Sequence, residues 1–257
     1  MDAGFRARLA ALRRQLRRAQ LRGAPSGRAG AALAAAEYAA ATMELWQEGG
    51  PRGAAGWRRP FVESLAVKRL PAMASPIPDE EGWRQAERFV SALTEGRDPL
   101  DGETGELRLA RRTSAGGLVP HRLFGPAQAA TRLRPMVVLL HSFLADEGSW
   151  GGVLSGGHFA GLADRYGVLA FCPYNPLAFA DPQEARGGEL DSAIAAVAEA
   201  FGADPQRNYV GGHGAAAEAL LFALGRQPRF AARVLTPAFV GRRRRRGEKR
   251  FVESRGP

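Results

Sequence analysis

Cysteine, lysine and long apolar runs are scarce in this chain of 257 residues. The single cysteine, Cys172, excludes an internal disulfide and argues against a small secreted scaffold held by such bonds. No apolar stretch approaches the roughly 18 residues that a transmembrane helix needs. The amino terminus also lacks the apolar core of a secretory signal peptide, because arginines separate its hydrophobic residues. We therefore predict a cytoplasmic protein with no membrane partner; the alternative for an arginine-rich amphipathic start is an organelle transit peptide.

The positive charge is carried almost entirely by arginine. Lysine occurs only at Lys68 and Lys249, although the formal net charge is +10. Much of the excess lies in the first 28 residues and in the arginine run at 242–246. Nucleic-acid-binding modules normally combine basic and aromatic residues on one face, and neither basic stretch has that composition. We therefore do not expect a nucleic acid as partner.

The first hundred residues have helical periodicity. An apolar stripe recurs at intervals of four, three and four residues, which predicts an amphipathic helix; its members are Phe5, Leu9, Leu12 and Leu16. The alanine-rich residues 31–48 predict a second helix that packs antiparallel on the first, and residues 79–95 predict a third. We interpret the stripe as an exposed surface through which the N-terminal helices self-associate or contact a partner.

From residue 106 the pattern becomes strand-like. Residues 107–112 and 118–124 flank a glycine turn and predict an antiparallel hairpin. Continuous apolar runs at 136–140 and 168–172 predict strands buried on both faces of a parallel sheet. The remaining predicted elements are a helix over 189–201, a short strand over 208–211, a helix over 215–224 and a last strand over 232–240. This alternation predicts an α/β fold with a mostly parallel sheet.

Three stretches of this region resemble the serine α/β-hydrolases. Residues 136–143 (MVVLLHSF) resemble the strand and oxyanion loop of these enzymes, which usually have glycine after the histidine. Residues 166–174 (YGVLAFCPY) continue the resemblance, and residues 204–214 (DPQRNYVGGHG) stand where relatives read roughly D-P-x-R-x-Y-x-x-G-H-S-x-G-G. The resemblance covers residues 104–241 and is greatest to esterases and prolyl-oligopeptidase-like hydrolases. It implies an α/β-hydrolase core.

The third stretch corresponds to the nucleophile elbow, a sharp turn between a strand and a helix. Aligning G-x-S-x-G on residues 212–216 places Gly214 at the nucleophile position, so the nucleophilic oxygen is absent. Gly212 and Ala215 are small enough for an elbow, and His213 stands where relatives often carry histidine. Taken alone, this Gly/Ala cluster favours an ordinary strand-to-helix turn; the upstream His141 loop and the D-P-x-R-x-Y sequence favour the hydrolase elbow instead.

The resemblance also implies an oxyanion hole formed by backbone amides. The amides are those of Phe143 and Ala215, and His141 lies in the oxyanion loop as an orienting hydrogen-bonding group. We interpret His121 and His158 as surface or half-buried polar residues. We predict no metal and no cofactor, because no pair of the four histidines has the spacing of metal ligands.

A catalytic triad further requires an acid and a histidine that follow the nucleophile in the chain. No histidine follows His213, and the later carboxylates, Glu218, Glu248 and Glu253, do not resemble a triad acid. The resemblance implies a serine hydrolase for a small ester or peptide, whereas the residues themselves predict an inactive protein. The alternative is a non-catalytic binding or interaction protein on a hydrolase scaffold.

We predict three regions along the chain. They are a helical N-terminal region (1–103), a truncated α/β-hydrolase domain that lacks its last strands (104–241) and a basic tail (242–257). The tail is either a solvated end of a truncated or frame-shifted product, or a patch that recruits an anionic partner. Truncation would leave the strand at 232–240 as an open sheet edge, so we expect marginal stability or dependence on a partner.

Overall fold

A computed structural model describes residues 3–23, 26–49, 80–112, 117–125, 132–141, 159–173, 188–213 and 230–236. The helices in these segments are α1 (Ala3–Leu21), α2 (Gly27–Gly49), α3 (Glu80–Glu95), α4 (Phe159–Tyr166) and α5 (Gly188–Phe201). The strands are β1 (Glu106–Arg112), β2 (Leu118–Phe124), β3 (Arg134–Leu140), β4 (Leu169–Pro173), β5 (Ala203–His213) and β6 (Ala232–Thr236). The predicted helix over 215–224 and residues 237–240 of the predicted last strand lie outside the described residues.

The apolar stripe of α1 is buried within the chain. Leu9, Leu12 and Leu16 are at most 6% exposed, and they pack against residues of α2 and α3. Phe5 extends the same cluster and stacks on Trp83 of α3, with ring centroids 6.0 Å apart. The prediction of an exposed stripe is therefore wrong, because two other helices of the same chain already cover it.

Polar contacts fix the antiparallel packing of α1 on α2. The side-chain amide of Gln20 donates a hydrogen bond to Glu37 over 2.7 Å, and Arg13 forms an ion pair with Glu44. From Gln20 back to Arg13 in α1, the partner in α2 advances from Glu37 to Glu44, so the two helices are antiparallel. The predicted helical hairpin is confirmed.

The alanine-rich helix α2 packs between the sheet and the helices α1 and α3. Alanine has the highest helix propensity, and its short side chain allows close approach of neighbouring backbones. Ala32 and Ala35 pack on the strands, whereas Ala36 and Ala40 pack on α1 and α3. The helical region and the sheet therefore have a continuous core, which crosses the predicted boundary near residue 103.

The sheet has the strand order β1-β2-β4-β3-β5-β6. Strand β2 runs antiparallel to both of its neighbours, whereas the pairs β3–β4, β3–β5 and β5–β6 are parallel. One face packs on α2 and α5, and the other packs on α4. The predicted α/β fold, a mostly parallel sheet preceded by a helical region, is confirmed.

Strand β5 begins five residues before the predicted short strand over 208–211. Its pairing with β3 is irregular: Arg134 pairs with Ala203 but Met136 pairs with Asn208, so two steps on β3 match five steps on β5. Such a bulge cannot be recognised from apolar alternation, because its extra residues have no partner on β3 and interrupt the ladder.

The side chain of Asp204 stabilises this bulge. Its carboxylate accepts hydrogen bonds from the backbone amide of Gln206 at 2.9 Å and from Nε of Arg207 at 2.7 Å. Those two bonds hold the pKa of Asp204 below its usual value. Arg207 also donates to the carbonyl of Leu133 over 2.9 Å, which ties the bulge to the start of β3. This part of the D-P-x-R sequence therefore has a structural role.

A buried glutamine covers the outer edge of β1. Gln85 of α3 is 3% exposed; its amide nitrogen donates to the carbonyl of Glu106 at 2.7 Å, and its amide oxygen accepts from the backbone N–H of Arg108 at 2.9 Å. One side chain thus replaces the two hydrogen bonds that a neighbouring strand would make. Satisfied edge groups are unavailable for pairing with another chain.

Replacing Gln85 with alanine is expected to lower the free energy of unfolding by about 2 kcal/mol, because two partly buried backbone groups lose this partner. Urea denaturation followed by circular dichroism measures the change. The matched control, Gln20→Ala, removes one exposed hydrogen bond to Glu37 and should cost less than about 0.5 kcal/mol. A loss no larger than the control's would contradict the edge-covering role.

Candidate functional site

The carboxyl ends of β3 and β5 lie where the strand order reverses. After β3 the chain adds β4 on one side of β3 and then β5 on the other. In open α/β sheets, ligands bind in the crevice outside the carboxyl ends of the strands at such a switch point. The topology alone therefore locates the candidate site here.

Three of the predicted site residues meet at this point. Leu140, the last residue of β3, is the direct partner of Gly212 in β5. His141 follows Leu140, and His213 is the last residue of β5, so both histidines occur at the ends of adjacent strands. Neighbouring strands are about 4.8 Å apart, which brings the two backbones within range of one small ligand.

The described side chains at the ends of β3 and β5 offer limited chemistry. His141 is 1% exposed, and its imidazole can donate one hydrogen bond and accept one when neutral. Leu140 is fully buried and Gly212 contributes no side chain. The described side chains here contain no nucleophilic oxygen or sulfur.

The remaining predicted site residues, Gly214, Phe143 and Ala215, lie outside the described residues, and their roles stay predictions. His158 lies there too. His121, by contrast, is 3% exposed, so its prediction as a surface or half-buried residue is wrong. The polar character of His121 predicts exposure, whereas its burial depends on α2 and α5, which cover that face of β2.

Two further searches concern the described part of the chain alone. It contains no group of three or more histidine, cysteine, aspartate or glutamate side chains that could hold a metal ion. None of its helices is both long enough and apolar enough to cross a membrane.

Comparison with known proteins gives similarity in structure only. No protein-family model matches the chain, and neither does any protein of curated function. Similar solved structures include FphF, a fluorophosphonate-binding serine hydrolase of Staphylococcus aureus, with 16% identity and a TM-score of 0.42 over 51% of this chain and 56% of that one. The S-formylglutathione hydrolase FrmB of the same organism has 17% identity and a TM-score of 0.41 over 51% and 57%.

An acetyl xylan esterase from Aspergillus awamori is also similar, with 22% identity and a TM-score of 0.35 over 45% of each chain. The chain thus spans about half the length of these three solved hydrolases. These partial superpositions say nothing about activity. It is the strand order β1-β2-β4-β3-β5-β6, with β2 antiparallel to both neighbours and the other pairs parallel, that identifies the core as an α/β-hydrolase fold.

Proposed function

We propose that this chain carries the site of a carboxylic-ester or peptide hydrolase in an impaired form, a pseudoenzyme. The observation that supports the proposal is the place of Gly214 in the fold. Strand β5 ends at His213, so Gly214 is the first residue after the strand at the switch point of the sheet. A hydrolase of this fold requires its nucleophile directly after this strand.

Glycine at position 214 removes the attacking group. Hydrolysis through an acyl-enzyme begins when a side-chain oxygen attacks the substrate carbonyl, and a histidine takes its proton. Gly214 supplies no oxygen, and no histidine follows it in the chain. Loss of a complete triad costs about 10⁶ in turnover and leaves roughly 10³ to 10⁴ over water from the oxyanion hole and substrate binding.

Substrate binding can persist without catalysis, because an oxyanion hole uses backbone amides that do not depend on the nucleophile. We assign this role to the amides of Phe143 and Ala215, with His141 in the same loop. A small ester or peptide would then be held at the ends of β3 and β5 without turnover. The second candidate, a binding or interaction protein on a hydrolase scaffold, is favoured by the same loss of the nucleophile.

Two further predictions belong to this proposal. The protein acts in the cytoplasm, and it self-associates through its N-terminal helices. Self-association of the N-terminal helices must use a surface other than the stripe of α1, because that stripe is buried. Size-exclusion chromatography with light scattering measures the oligomeric state, and a monomer at all concentrations would contradict self-association.

Hydrolysis of 4-nitrophenyl acetate tests the impaired site. The wild-type protein, Gly214→Ser and Gly214→Ala are expected to hydrolyse the ester at rates within about tenfold of one another, because the sequence has no histidine after position 214 that could activate a new serine. The alanine variant is the matched control for adding a Cβ without a hydroxyl. A gain of about 10³ in Gly214→Ser over Gly214→Ala would show that a base is present and would overturn this proposal.

A further inference from the structure

The exposed side of α1 carries most of the charge of this helix. Helix α1 contains six arginines and no acidic residue. Four of these arginines are exposed, and within the part of the chain that the structure describes they have neither an ion pair nor a side-chain hydrogen bond; they are Arg6, Arg14, Arg17 and Arg18. We call this surface the outer face of α1. Like charges three and four residues apart on a helix repel each other, so an anionic partner would stabilise this surface.

The other two arginines of α1 bind glutamates on helices of the same chain. Arg8 holds the carboxylate of Glu87 on α3 through two hydrogen bonds, from Nε at 3.2 Å and from a terminal nitrogen at 3.0 Å. On the other side of the buried stripe, Arg13 forms an ion pair with Glu44 of α2. Such guanidinium–carboxylate pairs give orientation as well as attraction. Helix α1 therefore already contacts two helices through arginine and glutamate, and its outer face offers the same groups to a third.

Exposed apolar residues lie between the arginines of the outer face. Ala7, Ala10 and Leu21 are exposed, and together with Arg14 and Arg17 they recur at intervals of three, four, three and four residues. Side chains with this spacing share one side of a helix and are those that contact a neighbouring helix. Leu21 is 86% exposed, and a neighbouring helix would cover it together with the aliphatic parts of the arginines.

These features favour an acidic helix over other anionic surfaces. Amphipathic helices bind a bilayer by burying their apolar side in it, and the apolar stripe of α1 is already buried within the chain. The phosphates of a nucleic acid would bind the arginines but would leave Leu21 uncovered, and residues 6–21 contain no aromatic side chain for base stacking. Two copies of the outer face would repel each other, because both are positively charged.

We propose that the outer face of α1 binds an acidic amphipathic helix of a partner protein. Carboxylates of the partner pair with the four arginines of this face, and its apolar side chains cover Leu21 and the two exposed alanines. The surface shares no residue with the candidate hydrolase site, so the proposal does not depend on the proposed function.

Fluorescence anisotropy tests the proposal with a labelled peptide of three Glu-Leu-Ala-Ala-Leu-Glu-Glu heptads, which forms a helix with leucines on one side and glutamates beside them. The uncharged control is the same peptide with glutamine in place of every glutamate, and a short duplex DNA serves as an anion of different shape. We expect the acidic peptide to bind the wild-type protein at least about tenfold more tightly than the glutamine peptide.

Two pairs of variants locate the binding surface. Arg14→Gln/Arg17→Gln should weaken binding of the acidic peptide at least about threefold relative to Arg132→Gln/Arg165→Gln, which removes the same charge from exposed positions outside α1. Leu21→Ser should weaken it at least about threefold relative to Leu133→Ser, whose leucine is 56% exposed and lies outside α1. Glutamine is a good helix former, and both replaced arginines are exposed, so the double variant should fold like wild type.

Four results would overturn the proposal. They are the absence of peptide binding to wild type, equal binding of the acidic and glutamine peptides, equal affinities of either variant and its control, and a loss of DNA binding in Arg14→Gln/Arg17→Gln as large as the loss of peptide binding. The last result would show that the outer face attracts any polyanion. If the double variant does not fold, the comparison of Leu21→Ser with Leu133→Ser decides.

Discussion

Replacing Gly125 with alanine is expected to lower the free energy of unfolding by about 4 kcal/mol. Gly125 follows β2 and has φ of 115°, a conformation that L side chains rarely adopt. A Cβ built there would also lie 2.6 Å from the carbonyl oxygen of Val168, just before β4. Val168 cannot easily retreat, because its own amide donates to the carbonyl of Ala163 at 3.0 Å.

The matched control separates the two causes. Gly102 also has a positive φ, 76°, but a Cβ at this position would have nothing within 4 Å. Gly102→Ala should therefore cost only about 1 kcal/mol, which reflects backbone strain alone. Urea denaturation of both variants measures the difference. Equal losses would contradict the close approach of Gly125 to the start of β4.

Replacing Phe89 with alanine is expected to lower the free energy of unfolding by about 4 kcal/mol, the usual result of emptying a large buried site. Phe89 of α3 is fully buried and belongs to the same cluster as Leu100, Leu107 and Phe171. It therefore joins the helical region to the sheet. The variant should unfold in one transition at lower denaturant, with helix and tertiary signals lost together.

The control for Phe89 is Leu162→Ala, on the other face of the sheet. Leu162 is 43% exposed, so its truncation should cost less than about 1 kcal/mol. Far-ultraviolet and near-ultraviolet circular dichroism follow unfolding of both variants. Two separate transitions, or a loss as small as that of Leu162→Ala, would contradict a core shared by helices and sheet.

Local periodicity was enough to predict most elements. The run of apolar residues in β3 and the stripe of α5, with Ile194, Val197 and Phe201, are buried as expected. Each of these signals lies within one turn or one strand, so neighbouring residues suffice to show which face is covered. The same holds for the hairpin of β1 and β2, whose register follows from its short connection.

The sequence did not predict features that depend on contacts between residues far apart in the chain. At the start of β5, Ala203 pairs with β3 and the next four residues form a bulge. Helix α4 has eight residues beside glycine-rich sequence, which is too short for a periodic signal. The burial of His121 requires the cover of α2 and α5, and the role of Gln85 requires the edge of β1. Composition describes none of these contacts, because each joins residues from separate elements.

The site was predicted in part, through resemblance. The sequence pointed to His141, Gly212 and His213, and the pairing of Leu140 with Gly212 brings their backbones to adjacent strand ends. The strand order gives independent support for this location, because it places the switch point of the sheet without reference to any catalytic residue. It does not supply a nucleophile.

Covalent labelling tests the central claim, the loss of the nucleophile after β5, most directly. The purified protein is incubated with a fluorophosphonate, which modifies the activated serine of a serine hydrolase, and its intact mass is measured beside an active serine hydrolase as positive control. We expect the control to gain one adduct and this protein to keep its mass, because Gly214 offers no oxygen to phosphorus. A stoichiometric adduct that peptide mapping places on a residue adjoining the carboxyl ends of β3 or β5 would contradict the account.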